Sequence, residues 1–180
     1  MNGLDVGARV SHSVHPPPGV ECDLLLLESL EIPSTALPSS PPESYLRSGA
    51  SGESSIGVFY IDPEIREHLA RKEEGRLSGS QIIRIHRLLR QSLDMPILMR
   101  LGAQCALTFE HIAFLLQRQR KGERGKLSTY GGVNVAYVEL CGLLSSVSIR
   151  WVPEGDGWAF EALSVDHPLQ WPAGTQILSG

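Results

Sequence analysis

No apolar run in the chain approaches the ~18 residues that a bilayer span requires, which excludes a helical membrane protein. Cysteine is scarce: Cys22, Cys105 and Cys141 are odd in number, far apart and without a C-x-x-C spacing. That pattern argues against a disulfide framework and for reduced thiols in a cytoplasm. Cys105 and Cys141, in apolar surroundings, read as small buried hydrophobes. Met1 to Asp5 offer neither the basic nor the apolar segment of a secretory leader, and Leu24–Leu27 between Asp23 and Glu28 is too short to supply one.

Catalytic signatures are missing as well. There is no G-x-S-x-G, and Gly49 to Gly52 falls in an irregular stretch rather than on a strand-to-helix turn. Gly122 to Thr129 has the look of a phosphate loop but carries Arg120 and Leu127 where the pattern needs Gly and Ser or Thr, and it follows a helix instead of a strand. No two carboxylates are spaced for acid–base work. His12, His15 and Cys22 are zinc-ligand types without a fourth member, and Pro16 to Pro18 intervene, so neither a metal nor a cofactor site is assigned. Asp166 and His167 read as a locally bonded turn pair.

What is present suffices for one domain: 180 residues, 42% of them hydrophobic, can build a core, which excludes a wholly disordered chain. Twelve prolines and eighteen glycines exceed the average and mark irregular segments. Residues 1–55 hold most of that irregularity. His15 to Gly19 is polyproline-like, and Pro33 to Ser55 is rich in Pro, Ser, Gly and Glu. This region is expected to be an extended arm with one short element near 23–32, followed by a single domain over 56–180.

Within that domain Ile56–Ile61 reads as a strand, and Asp62-Pro63 opens a helix to about Glu74 with Ile65 and Leu69 inward. A second helix from Ser78 or Ser80 is expected on the spacing of Ile82, Ile85, Leu89 and Leu93. A short third helix runs from Pro96 to about Cys105, and a fourth, capped by Thr108, buries Ile112, Leu115 and Leu116. Helix-turn-helix geometry over 99–117 is disfavoured by a turn without central Gly and by Glu110 and His111 where base-reading side chains belong. Val133–Leu144 alternates as a strand but also fits a helix. Val147, Ile149 and Trp151 alternate as a half-buried strand, Pro153–Gly157 is a turn, and Trp158–Leu163 returns as its partner. The tryptophans flanking this turn are expected to pack across the strands, and Thr175–Leu178 adds a last strand. The expected fold is α+β, three to four helices packed on a small antiparallel sheet.

Charge is segregated. Residues 1–79 carry 6 basic against 12 acidic side chains, residues 80–126 carry 9 against 3, and residues 127–180 carry 1 against 5. The basic middle holds two groups: Arg84, Arg87 and Arg90 at spacing three, and the run Arg118, Arg120, Lys121, Arg124 and Lys126, opposed only by Glu123. On adjacent helices these would form one cationic face, although some would also suit the negative end of a helix. The expected function is a small non-catalytic binding or regulatory protein, using this face and the arm to engage an acidic protein. The alternatives are nucleic-acid binding, against which the net charge of −4 argues, and a small enzyme in which His86, Glu110 and His111 converge.

Overall fold

The computed structural model describes residues 22–33, 46, 56–71, 81–103 and 105–180. Most of the expected arm and linker, the end of the first helix and its Gly75, Ser78 and Ser80, and the residues His12, His15 and Gly49 to Gly52 lie outside them. Along the described chain run β1 (Leu24–Ile32), β2 (Val58–Ile61), α1 (Pro63–Arg71), β3 (Gln81–Leu88), α2 (Asp94–Leu101), β4 (Ala106–Leu107) and α3 (Phe109–Leu116). Then follow β5 (Asn134–Leu140), β6 (Leu143–Val152), a 3-10 turn (Pro153–Gly155), β7 (Gly157–Ser164) and β8 (Gln176–Ser179).

The eight strands make one sheet in the order β1-β3-β8-β5-β6-β7-β2. β8 and β4 share one edge of β5, β8 along Asn134–Ala136 and β4 beside Tyr137 and Val138. The expectation of helices on a small antiparallel sheet is therefore corrected. The sheet is large and mixed, with parallel pairing at β2–β7, β4–β5 and β5–β8, and the described residues hold only three short α-helices.

The largest single correction is β3, where the sequence pattern suggested a helix. Ile82, Ile83 and Ile85 are β-branched, which favours extended backbone. The strand lies between β1 and β8 and feeds both sides of the sheet: Ile83 and Ile85 enter one core, Leu88 the other. Ile82 and Leu89, which completed the helical spacing with Ile85 and Leu93, are exposed and enter neither core, so the apparent stripe mixed a core residue with surface ones.

Two cores result. On the first face α1 (Ile65, Leu69) and α3 (Phe109, Ile112, Leu115, Leu116) cover Ile83, Ile85, Val138, Val147, Ile149 and Phe160, together with Leu46 and Ile56. On the second face Ile97 of α2 packs with Leu88, Val135, Tyr137, Trp171 and Ile177. None of the described helices is long and apolar enough to cross a membrane.

Several local expectations match. The Glu64 N–H donates to Asp62 Oδ1 at 2.9 Å at the start of α1, and the Thr108 N–H donates to His111 Nδ1 at 3.0 Å at the start of α3. α2 starts earlier than expected, at Asp94. Trp151 and Trp158 face each other across β6 and β7, edge to face at 5.5 Å. Cys105 is buried, whereas Cys141 is exposed. Cys141 and Gly142 form the two-residue turn joining β5 to β6, with φ of 50° and 85°, so this thiol sits at a hairpin tip.

Candidate functional site

The basic run after α3 folds into a fastened loop, and the fastener is Gln119. Its side chain is buried: the amide nitrogen donates to the carbonyls of Glu123 (2.8 Å) and Leu127 (3.1 Å), and its oxygen accepts the Leu127 N–H (2.7 Å). The Gln119 carbonyl also accepts the Trp158 indole N–H at 3.0 Å, which ties the loop to the hairpin. Two glycines permit the close fit. A Cβ on Gly122, already at φ 64°, would meet the Trp151 ring at 2.2 Å, and one on Gly125 would meet Gln119 Cδ at 2.3 Å. Farther along, the Ser128 N–H donates to Asn134 Oδ1 and Gln176 Oε1, both at 2.8 Å, pinning the loop end to β5 and β8.

The five cations on this loop fall into three groups. Arg118 donates to the Phe114 carbonyl at 3.0 Å and lies 3.5 Å over the Phe114 ring, while Arg120 Nε donates to the Gln117 carbonyl at 3.1 Å. Both finish α3, where cations meet the free carbonyls and the negative end of the helix. Lys121 and Arg124, by contrast, are exposed and make no side-chain ion pair among the described residues. Lys126 pairs with Glu28 of β1. Tyr130, 87% exposed, stands just beyond.

The other three expected cations part company because β3 is a strand. Arg87 lies in register with Leu25 and Gln176, on the same face as Ile83 and Ile85 and one strand from the pinned Ser128. It therefore borders the basic loop. Arg84 points to the opposite face, where it bonds the Gly180 carbonyl, and Arg90 pairs with Asp23 at 3.1 Å. The merged surface thus comprises Arg87 and the loop, without Arg84 and Arg90.

The residues weighed for catalysis do not converge. His86 lies on the second face, with Nε2 3.1 Å from Ser179 Oγ, and burial together with Arg84 holds its pKa below the ordinary value. His111 and Glu110 belong to α3 on the first face, so the sheet separates them from His86. His167 Nδ1 accepts the Leu169 N–H at 3.1 Å, a local turn bond. Burial raises the pKa of both Cys22 and Cys105, which disfavours the reactive thiolate.

One polar centre was invisible in the sequence. The Asp94 carboxylate is fully buried under α2, and Oδ1 accepts from the Trp171 indole (2.7 Å) and the Tyr137 hydroxyl (2.8 Å). Ser146 Oγ lies 3.1 Å from Oδ2 and 3.3 Å from the Leu163 carbonyl. Desolvation raises the Asp94 pKa against the opposing pull of these donors, and burial and the Asp94 charge raise that of Tyr137. With Asp94, Tyr137 and Ser146 fully buried and Trp171 nearly so, the centre joins α2, β5, β6 and the Trp171 segment rather than meeting a solute.

Comparison with known proteins finds no matching family model, no matching curated protein and no matching solved structure. The functional reading rests on the site itself.

Proposed function

We infer that the protein is a non-catalytic binding protein whose recognition element is the basic loop over residues 118–126, with Arg87 beside it, and whose partner presents an acidic protein surface. The observation that carries this reading is the threefold bonding of the buried Gln119 side chain to Glu123 and Leu127. It orders the backbone from which Lys121 and Arg124 project, so less conformational entropy is lost when they engage an anion. Arg118 and Arg120, committed to the helix end, shape the loop, and Lys126 contributes by exchanging its Glu28 pair. The proline-rich N-terminal residues are assigned additional contact area on composition alone. The widely spaced cysteines Cys22, Cys105 and Cys141 support a reducing, cytoplasmic setting.

A protein surface is favoured over nucleic acid because the molecule as a whole is acidic, net −4. The test is a titration with polyglutamate and, separately, duplex DNA at low and at physiological salt. The reading expects polyglutamate to bind in a salt-sensitive way and DNA to bind more weakly. Lys121→Glu with Arg124→Glu should lower polyglutamate affinity about tenfold or more, on the order of 1.4 kcal/mol. Equal affinity in that double variant, or preference for DNA, would overturn it.

A further inference from the structure

We propose that the outer edge of β1 accepts an extended acidic peptide as an added strand. This rests on the reading of the basic loop as an acid-binding element and names the form its partner takes. β1 is the outer strand of the described sheet, pairing with β3 alone among the described residues. Leu25, Leu26 and Leu27 are 48%, 51% and 40% exposed. Consecutive strand residues point to opposite faces, so three in a row leave apolar surface on both sides of the edge. The register shift between Leu26 and Glu28 leaves Leu27 without a partner in β3.

Exposed edges are commonly guarded by lysine, proline, other charges or a bulge; β1 has no lysine or proline, and its guards are the irregularity at Leu27 with Glu28 and Glu31. Its charges are Glu28, held by Lys126, and Glu31, while Asp23 just before it is held by Arg90. Among the described residues the charge beside Leu25 without an ion pair is that of Arg87, in register with it, while Glu31 stands at the far end of the strand. A strand added ~4.8 Å outside β1 lies about 10 Å from β3, a span that an arginine and a glutamate reaching across Leu25 can close. An occupant with acidic and apolar side chains in alternation would thus satisfy the edge backbone, cover the leucines and meet Arg87. This is the strand-addition mode of peptide recognition, with main-chain bonds giving affinity and side chains selectivity.

The test uses the full chain and short fluorescent peptides: alternating glutamate and valine, the same peptide N-methylated along one edge, and alternating lysine and valine. The glutamate–valine peptide should bind, with protection of the β1 amides from hydrogen exchange. N-methylation should weaken it about tenfold or more, as should Arg87→Glu or Leu26→Lys in protein whose circular dichroism is unchanged. Equal binding of the N-methylated peptide overturns strand addition even where polyglutamate binding still depends on Lys121 and Arg124, which separates this failure from failure of the loop reading. Preference for the lysine–valine peptide overturns the acidic chemistry. Concentration-dependent dimerisation that excludes the peptide and is abolished by Leu26→Lys would give the edge to a second copy and likewise overturn the proposal.

Discussion

Asp94 shows how much a single buried carboxylate decides. Its Oδ1 serves two buried donors that bond no other acceptor among the described residues, so Asp94→Ala orphans the Trp171 indole and the Tyr137 hydroxyl and opens a cavity. A loss of roughly 2–5 kcal/mol is expected in denaturant unfolding. Asp94→Asn should stay within about 1 kcal/mol of the parent, because an amide nitrogen at the Oδ2 position donates to Ser146 and frees its hydroxyl for Leu163. The two variants separate hydrogen bonding from charge.

The same carboxyl sets a pH dependence. Burial raises its folded-state pKa, so the folded protein holds this proton more tightly than the unfolded chain does. Its contribution is fully present below the unfolded value and is lost as pH rises through the folded value. Stability of the parent relative to Asp94→Asn should therefore fall as pH rises from about 4, measured by unfolding titrations across pH. A difference that grows more favourable with pH would show that the three donors outweigh desolvation. At Cys141, a non-glycine residue at φ 50° in a turn with both central φ positive, Cys141→Asn should raise stability by about 0.5–1 kcal/mol in the same measurement.

At the scale of elements, the sequence was most legible where one face is buried and the termini carry caps. Asp62-Pro63 announced α1, Thr108 announced α3, and the alternation about Trp151 gave the β6–β7 hairpin with its crossed tryptophans. It was least legible where exposed apolar residues mimic a stripe or where alternation is lost. At β3 the exposed Ile82 and Leu89 complete a helical spacing with the buried Ile85, although the strand's core residues are Ile83, Ile85 and Leu88. The same ambiguity touched β5, whose described residues are nearly all buried. Within the basic run, Gln119 was indistinguishable from a solvated neighbour of Arg118 and Arg120; only Gly122 and Gly125 hinted at a tight loop. Gly122→Ala should drive its Cβ into Trp151 and loosen the loop, seen as faster hydrogen exchange at residues 119–127 with the sheet core still protected.

For the molecule as a whole, the segregation of charge along the chain was readable, but its distribution in space depended on topology. A single strand, β3, places Arg84 and Arg87, three residues apart, on opposite faces of the sheet, which no helical spacing foretells. Acidic flanks did return to meet basic residues, as Asp23 with Arg90 and Glu28 with Lys126. Exposed pairs of this kind contribute little stability, about 0–1 kcal/mol each. Of the cations expected on one face, they leave Lys121, Arg124 and Arg87 without an ion pair among the described residues. The Asp94 centre was beyond reach for a related reason: Asp94, Tyr137, Ser146 and Trp171 are brought together only by the pairing of β5 with β6 and the return of the segment before β8.

The central claim is that recognition depends on a loop ordered in advance, and Gln119→Ala isolates it, since net charge is unchanged while the bonds to Glu123 and Leu127 vanish. The decisive measurement is the affinity of that variant for polyglutamate at low salt, in protein that still unfolds cooperatively. The account predicts a loss of several-fold to about tenfold, in line with ordering costs near 0.5–1.5 kcal/mol per side chain. Affinity equal to the parent's would contradict it and leave only charge, however arranged.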